Sequence, residues 1–576
     1  MQAFAAKVSA TKALTIALAI LLAGCKPAQT GADAASAARL ADAADGADWA
    51  GYGRTNGQQH FSPLDEIGVS NAGRLGLAWS LDLPPGNTAT EPLAIDGVLY
   101  FAAGLSVIHA VDAASGRLLW TYDPEVGRQG GLNQRFGWGV RGIAWWNGKL
   151  YVGTRDGRLI AVDAKSGEPV WSAQTYPKDA PAAITGAPRA FGGRILMGSG
   201  SSTGAMRGYV AAYDADTGKE LWRFHTVPGN PADGFENAAM EMAAKTWAGE
   251  WWKFGGGALV WNSMSWDAAT DTVYIGTGSP YPYNRRQRSA GKGDNLFICS
   301  IIALDGKTGA YKWHYQTTPG DDWDYDAAMD IELADIEIGG RLRKVLMQAP
   351  KNGFFYVLDR ETGELLSAKP YVPVTWAARI DLKTGRPVEM PGARYDETGK
   401  PIVLTPTPLS AHNWLPMAYS PKANVAFIPV IHWEVRFGDP GGPFVPSTQR
   451  TTEAGTTIMG GPLAGMSRPT GGLLAFSPLT GEKLWEVPHP TYINGGVLAT
   501  AGGLVFQGTI DGTFKAYDAA TGKLAWRFDA GAPVMAPPIS YRVGGRQFIT
   551  VLTGLGMAYP MNAGAIYGPE IERYAI

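Results

Sequence analysis

The sequence predicts an all-β protein folded as an eight-bladed β-propeller, and three observations support this prediction. Glycine is abundant, with 75 residues among 576, and it is accompanied by 39 prolines and 20 tryptophans, a composition typical of short strands joined by tight turns. One phrase, A-x-D-x-x-(S/T)-G-x-x-x-W, recurs along the chain. Its first three copies start 51 residues apart, close to the length of a four-stranded propeller blade.

Seven copies of the phrase are present, five of them complete. The complete copies occupy residues 110–120, 161–171, 212–222, 303–313 and 516–526. The copy at 357–367 ends in Ser367 instead of Trp, and the copy at 475–485 has Ser477 in place of Asp. We expect one hairpin of each blade at each copy.

The residue types in the phrase explain why it repeats. An Asp such as Asp112 accepts hydrogen bonds from its own backbone two residues on, and Gly116 supplies the positive φ that closes the turn. The following strand carries Trp120 at a fixed distance, where the indole packs on the neighbouring unit. Repetition of this unit predicts a radial array of sheets.

The predicted eighth blade combines both ends of the propeller. The N-terminal segment 75–79 is expected to join the C-terminal strand 548–553, so that residues 48–576 form a single propeller. The gaps 223–302 and 368–474 contain long insertions, including the Gly/Pro-rich stretch 438–465. Such insertions lie on one face of a propeller, where binding occurs.

The first residues predict export. Lys7 and Lys12 precede a short apolar run, and residues 1–24 fit a secretory signal peptide. The run ends in Leu-Ala-Gly-Cys25, which resembles a bacterial lipoprotein cleavage box with Cys25 acylated; an ordinary signal peptide is the alternative. Lys26 is compatible with outer-membrane sorting. Residues 25–47 are interpreted as a flexible tether, which predicts a periplasmic protein held only by an N-terminal lipid anchor.

Composition and motifs exclude several functional classes. With 50 Lys+Arg against 52 Asp+Glu, the chain lacks the basic surface of a nucleic-acid-binding protein. Two cysteines are too few for a disulfide framework or a thiolate metal site. No C-x-x-C-H motif occurs, so we expect no c-type haem on this chain. Nucleotide-binding glycine motifs followed by a helix are also missing.

A family resemblance extends from about residue 48 to the end. The repeated phrase resembles the tryptophan-docking motif of pyrroloquinoline quinone (PQQ) dehydrogenases, which are eight-bladed propellers, and the likeness is to the alcohol dehydrogenase branch without a haem domain. Further blocks that resemble the family lie at 49–54, 141–142, 244–247, 274–278, 351–356, 412–416 and 495–500. The resemblance implies oxidation of a small-molecule alcohol by PQQ, with electrons passed to an external cytochrome c or copper protein.

The resemblance assigns the base and the metal ligands. Asp324, in the segment 321–326, matches the family's general base, and Asp326 matches a second carboxylate of the lanthanide-using branch. Thr203 stands where the family has a Glu ligand, and Ser279 stands where it has Asn. Hydroxyls are weak neutral ligands. We therefore expect Ca²⁺ or a lanthanide at Asp324, Asp326, Thr203 and Ser279, and a site without metal remains the alternative.

The cofactor positions are better matched. By resemblance, the residues that contact PQQ are Glu91, Arg141, Thr185, Trp261, Lys351 and Asn413. Lys351 would bind the quinone oxygens, and Trp261 would form the aromatic floor. Glu91 aligns two residues late. Arg135 and Phe136 replace the family's adjacent cysteine pair, and this altered lid suggests a bulkier or secondary alcohol.

Two other functions are weighed against the dehydrogenase. The first is a cofactor-free propeller scaffold, similar to lipoproteins of the barrel-assembly kind, which also combine eight repeats with an acyl anchor. Asp324, Trp261, Lys351 and Asn413 would have no purpose in such a scaffold. The second is a hydrolase, for which no nucleophile motif is present.

Overall fold

The fold is described from a computed structural model, which covers residues 31–128, 139–178, 180, 182–200, 206–439, 441–442, 457–459, 468–489 and 491–554. The predicted signal peptide, Cys25, Thr203 and the pair Arg135 and Phe136 lie outside the described residues. Within the described ranges, no helix is both long and apolar enough to cross a membrane.

The first part of the chain forms a helix, a short strand and three four-stranded antiparallel sheets. The helix is α1 (Gly31–Ala41) and the short strand is β1 (Phe61–Ser62). Sheet 1 contains β2 (Leu93–Ile95), β3 (Val98–Ala103), β4 (Val107–Asp112) and β5 (Leu118–Tyr122); sheet 2 contains β6 (Ala144–Trp146), β7 (Lys149–Gly153), β8 (Arg158–Asp163) and β9 (Pro169–Gln174); sheet 3 contains β10 (Arg189–Phe191), β11 (Arg194–Gly198), β12 (Tyr209–Asp214) and β13 (Glu220–His225).

The middle of the chain adds two sheets and the first insertion. The insertion contains α2 (Ala238–Ala244), the paired strands β14 (Gly256–Gly257) and β17 (Pro280–Tyr281), and α3 (Arg285–Ser289). Sheet 4 contains β15 (Met264–Asp267), β16 (Thr272–Gly276), β18 (Ser300–Asp305) and β19 (Tyr311–Gln316); sheet 5 contains β20 (Glu332–Ile338), β21 (Arg341–Gln348), β22 (Phe354–Asp359) and β23 (Leu365–Pro370).

The last part of the chain contains the second insertion, two sheets and a hairpin. The insertion has the pair β24 (Ala377–Asp381) and β25 (Arg386–Glu389), helix α4 (Tyr395–Thr398), and the sheet of β26 (Ile402–Leu404), β29 (Val435–Gly438) and β30 (Thr457–Met459). Sheet 6 contains β27 (Ala418–Ser420), β28 (Val425–His432), β31 (Thr470–Phe476) and β32 (Lys483–His489); sheet 7 contains β33 (Asn494–Thr500), β34 (Leu504–Thr509), β35 (Thr513–Asp518) and β36 (Leu524–Asp529), with β1 parallel to β33. The hairpin is β37 (Ile539–Val543) and β38 (Arg546–Thr550).

Burial varies across each sheet in the way a radial array requires. The inner strands β2 and β33 are buried along their whole length, whereas the outer strands β5 and β9 are largely exposed or half-buried. Inner strands are covered on both faces by neighbouring sheets, so their sequences are continuously apolar or small. The all-β propeller prediction is confirmed.

The number of blades differs from the prediction. The structure has seven blades, so the prediction of eight is wrong among the described residues. Strand β38 pairs with β37 and not with the segment 75–79, which forms no strand. The Trp79 indole donates to the Ala113 carbonyl at 3.2 Å, and Trp526 donates to the Leu75 carbonyl at 3.1 Å. The segment thus bridges the first and last sheets through two indoles and needs no strand ladder.

The indole rings contact the turn glycines of the next sheet. A methyl group built on Gly309 would lie 2.5 Å from Cε3 of Trp222, and one built on Gly116 would meet Trp79 at the same distance. In the copy that ends in Ser367, the contact is replaced, and Gly481 faces the aliphatic stem of Lys369. Each such glycine therefore combines a positive φ with close approach of a neighbouring side chain.

Part of the predicted tether is a packed helix. Helix α1 buries Leu40 against the core, and Asp33 accepts a hydrogen bond from the Trp146 indole at 2.9 Å. Arg39 pairs with Asp48 and Asp96, each at 2.9 Å. The tether prediction is therefore wrong for residues 31–41. The Ala-rich composition interpreted as a tether has high helix propensity, and the apolar contacts hold the helix in place.

Residues 49–62, which we name the hub segment, cross the inner strands of six sheets. The contacts join Trp49 to Ala94, Tyr52 to Arg189, Gln58 to Met264, Gly57 to Leu333, Gln59 to Tyr419 and His60 to Ala499. In sheets 1, 3, 4, 5 and 6 these partners are the first or second residues of the inner strands, whereas Ala499 lies near the end of β33 in sheet 7. The hub segment therefore closes the centre of the propeller just below the connections that enter these strands.

We expect the indole contact to contribute measurably to stability. Gly309→Ala creates a steric overlap with Trp222 in addition to left-handed backbone strain, whereas Gly340→Ala creates only the strain, because Gly340 has a positive φ and open space around it. Overpacking adds about 1–3 kcal/mol to a backbone cost of roughly 1–2 kcal/mol. Denaturant unfolding should show the larger loss for Gly309→Ala. Equal losses would contradict the contact's role.

Candidate active site

The predicted site residues converge because they occupy equivalent places in successive sheets. Glu91, Arg141, Thr185, Trp261, the pair Asp324 and Asp326, and Asn413 lie in the connections that precede β2, β6, β10, β15, β20 and β27. Ser279 and Lys351 follow β16 and β21, the antiparallel strands that return to the same end. Inner strands of a propeller begin at one end of the hub, so these side chains surround one axis.

The acidic residues and the lysine form a compact cluster. Lys351 Nζ lies 3.2 Å from Asp324 Oδ2 and 2.6 Å from Asp326 Oδ2. The Ser279 N–H donates to Asp326 Oδ1. Asp324, Asp326 and Lys351 are 8%, 4% and 5% exposed, so two carboxylates face one ammonium with little solvent screening.

Asp324 has the electrostatics of a base that works near neutrality. Burial and repulsion from Asp326 raise the pKa of Asp324 to about 7, against the opposing attraction of Lys351 and a hydrogen bond from Ser279. Its φ of +64° places the side chain in an uncommon direction for a residue other than glycine. A carboxyl group with this pKa both accepts and releases a proton at physiological pH.

The turn that carries Asp324 is held by acids that sequence reasoning missed. Asp321 accepts hydrogen bonds from the N–H groups of Trp323, Asp324 and Tyr325 at 3.1–3.2 Å. Burial raises the pKa of the Asp321 carboxyl to about 7, with repulsion from Asp324 adding to the shift. The Asp322 carboxylate accepts a hydrogen bond from Arg394 Nη1 at 2.8 Å. The signal for this turn was present in the sequence, because Asp side chains stabilise turns two to three residues on.

Arg141 is fixed between two indoles. Its guanidinium carbon lies 4.8 Å from the Trp261 ring centroid and 5.0 Å from that of Trp414. Nη1 donates to Thr185 Oγ1 at 2.7 Å and to the Trp261 carbonyl at 3.2 Å. Trp414 was missed as a site residue, although it directly follows Asn413. The Asn413 side chain accepts from the Trp414 N–H at 2.9 Å.

Glu91 is directed differently from the other predicted residues. Its carboxylate accepts from the Trp49 indole and the Gly53 N–H, each at 2.7 Å, and lies 2.9 Å from His60 Nε2. Its main-chain N–H donates to the Arg141 carbonyl at 2.9 Å. The side chain therefore binds the hub segment, while the backbone supports the arginine.

Comparison with known proteins identifies the family. The sequence model described as "Glucose/ethanol/alcohol dehydrogenase, beta-propeller domain" matches residues 49–379, and one described as "Outer membrane protein assembly factor BamB" matches residues 469–549. Quinohemoprotein alcohol dehydrogenase ADH IIB of Pseudomonas putida is 48% identical over 520 residues, which cover 90% of this chain and 74% of that protein. This chain belongs to the family of PQQ-dependent alcohol dehydrogenases.

Solved structures agree with this family membership. The quinohemoprotein alcohol dehydrogenase ADH-IIG of Pseudomonas putida is 44% identical, with a TM-score of 0.86 over 89% of this chain and 77% of that chain. A europium-containing methanol dehydrogenase is 30% identical, with a TM-score of 0.78 over 88% of this chain and 90% of that chain. The chain is accordingly an oxidoreductase that acts on alcohols with a quinone cofactor.

One expectation from the resemblance is wrong. The chain was assigned to a haem-free branch, but the similar proteins from Pseudomonas putida and Comamonas testosteroni are named quinohemoproteins. The C-x-x-C-H motif marks a haem attachment site. Its absence from the sequence therefore does not identify the branch to which a propeller belongs.

The side chains of this PQQ dehydrogenase fit the cofactor that the family implies. PQQ is planar and carries carboxylates, and the site offers a guanidinium, an ammonium, hydroxyls and a flat indole. Asn262, 1% exposed and next to Trp261, has both side-chain amide atoms without a hydrogen-bond partner among the described residues. Unsatisfied buried amides are rare, so this one is consistent with a ligand-binding region.

We expect Arg141→Lys to weaken PQQ binding by at least tenfold. Lysine loses the planar stacking between Trp261 and Trp414 and the geometry of the bond to Thr185. Titration of the apoprotein with PQQ, followed by tryptophan fluorescence, measures the effect. Arg39→Lys is a matched control, since Arg39 also lies over an indole, 5.3 Å from the Trp145 centroid, but outside the site. Equal affinities of the two variants would contradict the assignment.

Proposed function

We propose that this protein oxidises an alcohol to a carbonyl compound, with Asp324 as general base and PQQ as hydride acceptor. The observation that carries the proposal is the buried Asp324–Asp326–Lys351 cluster, in which the pKa of Asp324 is raised to about 7 beside a fixed ammonium. Bound PQQ would supply the electron-accepting quinone. The remaining steps belong to side chains of this chain.

Each side chain has a distinct task in this proposal. Asp324 takes the hydroxyl proton of the alcohol, and Lys351 stabilises the negative charge near Asp324 and would bind the quinone oxygens. Arg141 and Thr185 would hold PQQ carboxylates or carbonyls, and Trp261 would stack on the ring. Asn413 would contact the quinone edge, and Glu91 would support Arg141 through its backbone.

We propose Ca²⁺ or a lanthanide as the metal, bound by Asp324, Asp326, Ser279 and Thr203. The two carboxylates carry one more negative charge than Lys351 neutralises, which favours a hard cation. The europium-containing methanol dehydrogenase, 30% identical, supports the lanthanide. Ser279 already donates to Asp326 and offers one neutral hydroxyl, so we expect weaker binding than in a site with Glu and Asn ligands.

The substrate and the partners follow from the family. We propose a bulky or secondary alcohol; a relative named lupanine 17-hydroxylase [cytochrome c] is 40% identical over 522 residues. Electrons would pass to a cytochrome c or a copper protein.

We infer that residues 1–24 are removed, that Cys25 carries the lipid, and that the protein faces the periplasm from the outer membrane. Residues 48–576 would form one catalytic domain.

The repeated A-x-D-x-x-(S/T)-G-x-x-x-W phrase also has a proposed role. We propose that it acts as the family's tryptophan-docking motif, which the contacts of Trp79 and Trp222 with turn glycines support.

The alternative function is a cofactor-free scaffold of the barrel-assembly kind. It draws only on the match of residues 469–549 and leaves the buried charges of Asp324 and Lys351 without a use.

We expect Asp324→Asn to lower kcat roughly a hundredfold to ten-thousandfold while PQQ stays bound. The wild-type rate should rise with pH as Asp324 ionises, because only the ionised carboxylate accepts the hydroxyl proton; the rise is expected near pH 7 without metal and at lower pH with a cation bound to Asp324. Dye-linked turnover with an alcohol panel measures both effects. Asp267→Asn is the control, since Asp267 is a buried carboxylate bound to Arg360 at 2.8 Å, outside the site. Unchanged turnover of PQQ-loaded Asp324→Asn would exclude the mechanism.

Metal dependence tests the proposed ligands. We expect apoprotein reconstituted with PQQ and La³⁺ to turn over, and Asp326→Ala to weaken its response to La³⁺ by at least tenfold, because one charged ligand is lost. Parallel reconstitution with Ca²⁺ shows whether the neutral hydroxyls suffice, and Asp267→Ala controls for loss of a buried acid. Full activity of the PQQ-loaded protein in chelator would show that no metal is needed.

A further inference from the structure

A second group of potential metal ligands lies beside the hub segment. Asp330 precedes β20, Glu332 begins it, and His60 belongs to the hub segment. One ring nitrogen of His60 and one carboxylate oxygen from each acid lie within 4.8 Å of one another. Their exposed fractions are 0%, 1% and 0%. None of the three residues is assigned to the alcohol, the quinone or its metal.

The two acids lack the partners that buried carboxylates need. Neither oxygen of Glu332 has a hydrogen-bond partner among the described residues. Asp330 Oδ2 accepts from the Met417 N–H at 3.1 Å, but Oδ1 lies 3.7 Å from His412 Nε2, beyond hydrogen-bond distance. Burial, and for Glu332 repulsion from Asp330, raise the pKa of both carboxyl groups. Such groups are stable when a cation or proton compensates them.

Arg189, a buried cation that interacts with Asp330, is committed elsewhere. Arg189 interacts electrostatically with Asp330, but its guanidinium stacks 3.9 Å from the Tyr52 centroid and donates to the Ala187 carbonyl at 2.6 Å. It must also balance Glu91. One guanidinium is therefore shared between the buried carboxylates of Glu91 and Asp330, which leaves Asp330 undercompensated, and the charge interaction recorded for Glu332 is repulsion from Asp330.

His60 is already oriented as a metal-binding histidine would be. Its Nε2 lies 2.9 Å from Glu91 Oε2, and Glu91 is itself fixed by the Trp49 indole and the Gly53 N–H. Its Nδ1 lies 3.2 Å from the Gln58 carbonyl, a contact that a metal bound at this nitrogen would replace. Metal-binding histidines commonly have one ring N–H bonded to a carboxylate, which fixes the tautomer and the ring orientation. Glu91 is thus a positioning residue for His60.

We propose that His60, Asp330 and Glu332 bind one divalent first-row transition-metal ion, for which Zn²⁺ is best suited. One imidazole nitrogen with two carboxylates is a ligand set for Zn²⁺, whereas Ca²⁺ prefers oxygen ligands alone. A tetrahedral ion about 2.1 Å from each ligand needs ligand atoms about 3.4 Å apart, a modest closure from 4.8 Å.

The ion's role would be structural. The site is buried, so the metal enters before the hub segment closes over the inner strands. It joins the hub segment to sheet 5 beside the main-chain bond from Leu333 N–H to the Gly57 carbonyl at 2.9 Å. The metal would therefore stabilise the centre of the propeller, and it is distinct from the metal proposed at Asp324.

Elemental analysis of the purified full chain tests the proposal. After dialysis against EDTA, which strips accessible ions, we expect about one equivalent of a first-row metal in wild-type protein and in Asp267→Asn. His60→Gln and Glu332→Gln should each retain less than a tenth of it and unfold at lower denaturant concentration. Asp326→Ala should keep the metal, which distinguishes this site from the one at Asp324.

Several outcomes would overturn the site. Wild-type protein without a first-row metal, or variants that keep the full equivalent, would do so. A Glu332→Gln protein as stable as the wild type as purified would show that the acids share a proton instead, because glutamine mimics a protonated glutamate. If the variants fail to fold, refolding wild-type protein with Co²⁺ gives an independent readout. We expect visible absorption bands of a low-symmetry Co²⁺ site, and their absence would reject the proposal.

Discussion

The contact between an indole on one sheet and a turn glycine on the next is the interaction on which the structure depends. The indole of Trp222 fills the space that a side chain at Gly309 would occupy, so both residue types are needed together. Repeated at several turns, this contact joins each sheet to the next. The starts of the inner strands lie at one end of the propeller, and the connections that enter them carry the predicted site residues.

The active site follows from that ring and from the charge it buries. Asp324 and Asp326 reach the axis from sheet 5, and Lys351 arrives on the returning strand of the same sheet, so the compensating cation is built into one unit. Arg141 is contributed by sheet 2 and is held by Thr185 of sheet 3 and two indoles. Charges carried by different sheets therefore meet at the site only when those sheets are packed side by side.

Local patterns predicted much of this, and long-range packing explains the errors. The turn phrase and the family blocks bring Asp324, Lys351, Arg141 and Thr185 to one end of the hub, where the structure places them. Helix α1 and the missing eighth blade were mispredicted because they depend on distant partners, such as Trp146 for Asp33 and Trp526 for Leu75. Asp321 and Trp414 were not predicted because the family match assigned roles to their neighbours Asp324 and Asn413. Their own roles depend on contacts that form only in the folded protein, such as the stacking of Trp414 on Arg141.

Two buried acidic clusters of this chain differ in the cation that compensates them. Lys351 compensates Asp324 and Asp326, whereas a metal ion is proposed for Asp330 and Glu332. In the proposed mechanism Asp324 exchanges a proton. Burial and Asp326 raise its pKa to about 7, and the attraction of Lys351 opposes this shift without cancelling it. Asp330 and Glu332 lie buried beside His60 of the hub segment and have no part in the proposed reaction, so a tightly bound cation there would not compete with proton transfer at Asp324. Exclusion of water strengthens the interactions that set the pKa of a buried carboxylate such as Asp324. The hub segment contacts the starts of the inner strands next to the connections that carry the site, so its packing contributes to the burial on which the proposed base depends.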